Sequence, residues 1–326
     1  MKTFILIFNI ILFQIVLYNG VNTITFDILL ENLKKDATMK RMAIAGADVP
    51  ETLEASRIAK DMKIGDSILI GNEEKIRKMA KDNNIDISDF QIVNLLEPTE
   101  ISRYAVKLVH DGEADIYVKG SLETRDVLRA VFDKEIGLKT NELISLVGVF
   151  EIEGKMMYFT DPSVVPYPNL QEKVQLINNA VKFAASTELY NPKVAVVAGI
   201  SFPNSNLPET LEAEKLMEMN KRGEIKNCIV DGPLSLDLAI SPESAKIKNS
   251  HRLINGDADI ILFPDVHAAN IAYKILTHLT NAKSGNIIIG AKEPVILSSR
   301  SDTVQVKLNS IILGFTYYKF QEEKKN

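Results

Sequence analysis

The chain has 326 residues, 46% of them hydrophobic and 25% charged, with a formal net charge of −5. This is the composition of a globular protein long enough for two domains, and it lacks the basic excess that would neutralise a phosphodiester backbone, which argues against nucleic acid as a partner. The single cysteine, Cys228, rules out an internal disulfide and reads as a small core residue in a reducing compartment, while His110, His251, His267 and His278 form no ligand-spaced group, so no metal is expected.

In chain order, Lys2 precedes an apolar run from Phe4 to Leu17, broken by Asn9 and Gln14. The run has the first two parts of a secretory signal but no small-residue cleavage site, and it is short for a membrane span. Residues 1–22 are therefore read as an apolar extension or a mis-assigned start, with a true signal or anchor as the alternative. Strands are then predicted at Met42–Ala45, Ser67–Ile70, Ile92–Leu95 and Asp115–Val118, separated by helices at Glu51–Met62, Glu73–Lys81 and Glu100–Asp111. Gly65-Asp66, Gly71-Asn72 and Asp111-Gly112 supply the turns. Strand and helix alternating at this spacing predict a parallel sheet with crossover helices.

A second set starts near Leu143. Ile144–Glu151 and Met156–Thr160 flank Glu153-Gly154, a hairpin signal, and a long helix follows over Asn169–Ser186. Val194–Ala198 is a strand and Leu207–Arg222 a helix. Three later strands end in chemistry-bearing residues: Cys228–Asp231 before Gly232-Pro233, Ala258–Phe263 before Pro264-Asp265, and Val295–Ser298 before Ser299-Arg300-Ser301-Asp302. In open α/β sheets ligands gather at the carboxyl ends of strands, which makes Asp231, Asp265 and residues 298–302 places to look. The helical run Val266–Thr280 sets Asn270, Tyr273 and Lys274 on one side. Val304–Tyr318 is apolar at helical spacing, and the charged tail Glu322–Lys325 is a solvated end. The expected fold class is α/β: two α/β domains with mostly parallel sheets. The first spans 23–140 and is joined by the C-terminal helix 301–326; the second spans 141–300.

The strings DGPLSLDLAIS at 231–241, DADIILFPDVHAANIAYKILTHLT at 257–280 and PVILSSRSD at 294–302 carry a resemblance to the phosphate acetyltransferase and phosphate butyryltransferase family, closer to the butyryl branch. In order and spacing it runs from about Ile24 to the C-terminus. The resemblance implies an active-site cleft between the two domains and the reaction acyl-CoA plus phosphate giving acyl phosphate plus CoA. CoA is then a substrate, no cofactor is required, and a cytoplasmic homodimer with no stable membrane association is expected.

That chemistry requires an anion site, a stabilised oxyanion and control of one thiol proton. Ser299 and Arg300 match the family pair for oxyanion and phosphate, and a planar guanidinium fork suits phosphate. The acetyl branch places an aspartate seven residues after its serine. Here that position is Val306, as in the butyryl branch, which leaves Asp302 and Asp231 as candidate thiol bases. Lys119, in the Lys119-Gly120 turn, is a candidate for substrate binding, with Thr124 and Arg129 following; Arg129 could equally pair with Asp133. Ser145, the Thr160-Asp161 turn, Asp265, Asn270 and Lys274 complete the resembling set. Two positions depart from the family pattern: Glu123 stands where Asn or His is usual, and Pro166 stands where Asn is usual. No G-x-x-x-x-G-K-[ST] is present and no G-x-G-x-x-G follows the first strand, which weighs against nucleotide hydrolysis and dinucleotide-dependent oxidation. A non-catalytic binding relative is the alternative reading, and a metal-dependent hydroxy-acid dehydrogenase of related fold is a distant one.

Overall fold

The computed structural model describes residues 24–36 and 38–325, so the apolar extension expected over 1–22 lies outside the described residues. The strands are β1 (Lys40–Ala45), β2 (Gly65–Gly71), β3 (Gln91–Asn94), β4 (Ile116–Lys119), β5 (Ser145–Ile152), β6 (Lys155–Thr160), β7 (Lys193–Val197), β8 (Ile229–Leu234), β9 (Ile260–Leu262), β10 (Lys283–Ile289) and β11 (Val295–Ile296). The helices are α1 (Phe26–Lys34), α2 (Pro50–Asp61), α3 (Glu73–Asp82), α4 (Pro98–His110), α5 (Thr124–Val131), α6 (Leu170–Ser186), α7 (Pro208–Lys221), α8 (Leu236–Ile240), α9 (Pro242–Ile247), α10 (Val266–Leu279) and α11 (Val304–Lys325). Among the described residues no helix is long and apolar enough to cross a membrane.

Among the described residues the eleven strands join one sheet in the order β3-β2-β1-β4-β11-β10-β5-β6-β9-β7-β8. The outer parts, β3-β2-β1-β4-β11 and β6-β9-β7-β8, are parallel. Their strands are largely buried, as parallel strands covered by helices on both faces must be. Between them β11-β10-β5-β6 is antiparallel. The mixed α/β class expected from the alternation is the class observed. β11 is the seam: Val295 and Ile296 pair with Tyr117 and Val118 of β4, and Val295 also pairs with Ile288 of β10.

Local chemistry explains most element boundaries. Glu153 and Gly154 both take positive φ, 51° and 79°, the primed turn that matches strand twist and pairs Ile152 with Lys155. Asn169 and Glu172 form a reciprocal capping box at the start of α6. Pro50, Pro98 and Pro208 each sit at a helix start, where the missing N–H is not needed.

The structure corrects two strand ends and adds one strand. β8 does not stop at Asp231 but continues through Gly232-Pro233 to Leu234. It is an edge strand with a register shift opposite Ala195/Val197, and an edge with a bulge tolerates proline. The strand expected over Val295–Ser298 is only two residues long, which releases Ser298 from the ladder. β10 is not among the strands the sequence predicts. Its first residues, Lys283-Ser284-Gly285-Asn286, look like a turn, yet the whole strand pairs with β5. α11 lies against this small-residue surface: Asn309 donates to the Ser284 carbonyl at 2.9 Å, and the Asn286 N–H donates to Ser310 Oγ at 3.0 Å. α11 also packs on α2 and α1, so the C-terminal helix returns to the N-terminal part of the fold.

Candidate active site

Lys119 ends β4, and the chain must turn there in very little space. A Cβ on Gly120 would lie 1.9 Å from the Gly46 carbonyl oxygen, so only glycine lets this turn press against the end of β1. Lys119 is 5% exposed, and its Nζ donates to the Ser298 carbonyl at 3.1 Å. Burial pushes its ammonium down to about 8, helped by Lys307 and Arg300 and opposed by Glu123 and Asp302.

Beyond β11 the backbone folds into a tight loop. The Ser299 N–H donates to Asp302 Oδ2 at 2.7 Å, and the Asp302 N–H returns to the Ser299 carbonyl at 3.2 Å. The buried Lys307 of α11 donates to that same carbonyl at 3.0 Å. These bonds present Ser299 and Arg300 outward. The Arg300 guanidinium bonds the Ser121 carbonyl at 2.8 Å and Glu123 Oε1 at 2.7 Å. Glu123 precedes α5 but does not cap it; its carboxylate goes to Arg300 instead.

The opposite wall comes from α10 and the loop after β6. Asp265 caps α10 by accepting from the Ala268 N–H at 2.9 Å. Asn270 donates to the Pro162 carbonyl at 2.9 Å and so ties the helix to that loop. The Tyr273 ring fills the space that Gly148 leaves open: a Cβ there would meet it at 2.7 Å. Its ring packs against Phe150 at 5.1 Å. Asn270, Tyr273 and Lys274 face the same cavity, as their spacing predicts.

Together these elements enclose a cavity of about 360 Å³ where the parallel and antiparallel parts of the sheet meet. Its charged lining is Lys119, Lys274 and Arg300 against Glu123 and Asp302, with Lys307 behind, a balance that favours an anion. Its apolar lining is Leu146, Leu297, Pro162 and the Tyr273 ring. Tyr273 Oη, Asn286 Oδ1 and Ser298 Oγ belong to residues of this wall and have no protein hydrogen-bond partner. A second cavity of about 240 Å³ lies across the Arg300–Glu123 pair, beside Gly46, Gly71 and Asn72.

The sequence of residues 24–105 and 97–315 matches the family model described as phosphate acetyl/butaryl transferase. The chain belongs to this family. It is 42% identical over 282 residues to the phosphate butyryltransferase of Clostridium acetobutylicum, covering 86% of this chain and 94% of that one. It is 38% identical over 280 residues to the phosphate acetyltransferase of Thermotoga maritima, covering 85% and 95%. The crystal structure of a branched-chain phosphotransacylase from Enterococcus faecalis superposes with a TM-score of 0.77 at 29% identity, covering 86% of this chain and 99% of that one.

Of the residues the family resemblance pointed to, Lys119, Thr124, Asn270, Lys274, Ser299, Arg300 and Asp302 line the cavity. The others do not. Asp231 is 1% exposed and fully engaged: it accepts from Arg252 at 2.6 Å and from the N–H groups of Leu253 and Ile254 at 2.8 and 3.1 Å. It holds the 252–254 loop, because β8 carries it inside the strand rather than at its end. Asp161 supports the cavity from behind. Its carboxylate accepts from Leu146, Ser163 and Val164 N–H groups, fixing the Pro162-Ser163 rim, and burial pushes it up to about 6 against those bonds. Ser145 is buried and accepts from Asn179 at 2.8 Å. Thr160 is buried under the same turn, and Asp265 caps α10. Arg129 is exposed on α5; Asp133, its suggested partner, pairs with Arg103.

Leu146, Asn286 and Leu297 line the cavity and Lys307 stands behind it, and none of the four is expected from the sequence. A lysine inside the apolar stripe of the C-terminal helix was the available signal for Lys307. Asn286 had none, because its strand was not legible.

Proposed function

We propose that this protein transfers a short acyl group between CoA and inorganic phosphate: acyl-CoA plus phosphate gives acyl phosphate plus CoA, with butyryl as the favoured acyl group. The observation that carries this reading is the meeting of Ser299, Arg300 and Lys119 in one cation-rich cavity of a chain that belongs to the phosphotransacylase family. Arg300 grips phosphate with its fork, and the Ser299 hydroxyl faces the oxygen that gains charge as the tetrahedral intermediate forms. Lys119, Thr124, Asn270 and Lys274 hold the substrates. Asp302 keeps the 299–302 loop in shape. Leu146, Leu297 and Pro162 receive the acyl chain.

CoA and phosphate are substrates here, and no cofactor or metal is needed for this chemistry. The segments 23–140 with 301–326, and 141–300, act as the two halves of the site, sharing β11. A homodimer is favoured because Ile271, Ile275 and Leu279 form an exposed apolar stripe, 49–79% exposed, at i, i+4 and i+8 on α10. The cytoplasm, where acyl-CoA is made, is the compartment this activity requires.

One observation supports a second reading. Arg300, the phosphate fork, is paired with Glu123, and a chain in which that pair is permanent would bind acyl-CoA without turnover. The test is free thiol released from butyryl-CoA on addition of phosphate, with the acyl phosphate trapped by hydroxylamine. Phosphate-dependent release of both products establishes the transferase. Tight butyryl-CoA binding without release establishes the second reading.

A further inference from the structure

We propose that Lys119 is the proton relay of the reaction: it gives a proton to the CoA sulfur as the carbon–sulfur bond breaks and recovers one from the phosphate. This rests on the acyl-transfer reading above. The proton balance of that reaction calls for such a group. Hydrogen phosphate enters carrying a proton, and the acyl phosphate leaves as a dianion without it. A phosphate oxygen forms the new bond to the thioester carbon, the carbon–sulfur bond breaks, and its electron pair goes to sulfur. The thiolate must then be protonated. The proton that hydrogen phosphate loses is the one CoA gains, so one residue that gives and then takes balances the step.

The cavity narrows the choice to its two lysines, and of these only Lys119 is buried, Lys274 being half-buried on the opposite wall. No histidine or cysteine lines the cavity. Asp302 is tied to the Ser299 N–H, Glu123 is a carboxylate 68% exposed to solvent at the rim, and Asp231 lies in β8 outside the cavity. Burial pushes the Tyr273 hydroxyl upward, away from proton exchange near neutrality. Lys119 forms no ion pair among the described residues. A single bond to the Ser298 carbonyl engages one of its three hydrogens, leaving two for ligands. Its charged surroundings are Glu123 before α5, Arg300 and Asp302 after β11, and Lys307 from α11. Lys274 and Tyr273 of α10 line the other wall of the cavity. The two cations and the burial bring its titration to about 8, close to working pH, where a group can both give and take a proton.

The role separates from simple phosphate binding because arginine keeps the positive charge but cannot release a proton. With phosphate held saturating in its dianion form, wild-type kcat/KM for butyryl-CoA should fall as pH rises through about 8, when Lys119 loses the proton it must donate. General acids contribute roughly a hundredfold or more, so Lys119→Arg should lower kcat by about that factor. Its phosphate KM should change by less than about threefold, and the alkaline fall should disappear. Lys119→Met should lose kcat similarly, and added ethylamine should restore part of it. Thermal unfolding of both variants checks that they fold. Near wild-type kcat in Lys119→Arg overturns the proposal. So does a variant that loses only phosphate affinity, or a wild-type profile with no ionisation between about pH 7 and 9, which needs no variant. If wild type releases no thiol at any pH, the acyl-transfer reading fails first.

Discussion

Glu123 offers the sharpest test of how the site handles phosphate. Its carboxylate holds the Arg300 guanidinium at 2.7 Å, with the two side chains 68% and 59% exposed. Incoming phosphate must displace that carboxylate from the fork. An ion pair this exposed is worth roughly 0.2–1 kcal/mol, which corresponds to about 1.4- to 5-fold in an equilibrium constant. Glu123→Gln keeps the shape and removes the charge. The KM for phosphate should therefore fall by about that factor at low ionic strength, with kcat little changed, and the gain should shrink in about 0.5 M salt, where the Debye length is only a few ångströms. The assay is initial-rate thiol release with a chromogenic disulfide. The protein's own thiol leaves the signal clean, because Cys228 is 7% exposed and burial pushes it up to about 11. A phosphate KM that is unchanged or higher at low salt would refute the competition argument. So would a fall in kcat at constant KM, which would make Glu123 a residue that aims Arg300 rather than one that competes for it.

Arg300→Ala should cut turnover at least about tenfold, and Arg300→Lys should not restore it fully, since a single ammonium cannot bind phosphate as a fork; near wild-type kinetics in the alanine variant would remove Arg300 from the site. Butyryl-CoA should exceed acetyl-CoA in kcat/KM by about fifteenfold if Leu146, Leu297 and Pro162 bury both extra methylenes at about 0.8 kcal/mol each, and a series from two to six carbons measures it; a clear acetyl preference would overturn the butyryl assignment while keeping the reaction class. Asp231→Ala should lower stability to urea by about 3 kcal/mol, because it strands buried N–H groups and Arg252, while kcat per folded molecule stays within about threefold; a collapse of kcat at unchanged stability would return Asp231 to the candidate bases. A chain beginning at Ile24 should match the full chain in activity and solubility, since the family match starts at residue 24, and loss of either would give the first 23 residues a part in the fold or its location.

Local rules were enough for much of this protein. Alternating apolar runs and turn signals made the α/β class legible, the Glu153-Gly154 hairpin followed from positive φ at two residues, and Asn270, Tyr273 and Lys274 share a face because helical spacing requires it. The Ser299-Arg300 loop was visible as a strand end with the right chemistry. What the sequence could not decide was which strand ends meet. Asp231, Asp265 and Asp302 looked alike in one dimension, each an acid near a break. The edge position of β8 lets the strand run on through proline and carries Asp231 into a backbone-holding role. Capping uses Asp265 for α10. Only Asp302 reaches the cavity, because the two-residue β11 lies between β4 and β10 and brings the 298–302 loop beside Lys119. The same long-range pairing buries Lys119 against Lys307 and Arg300, residues roughly 180 positions away in the chain, and a shifted titration made by burial and distant charge leaves no mark in local sequence.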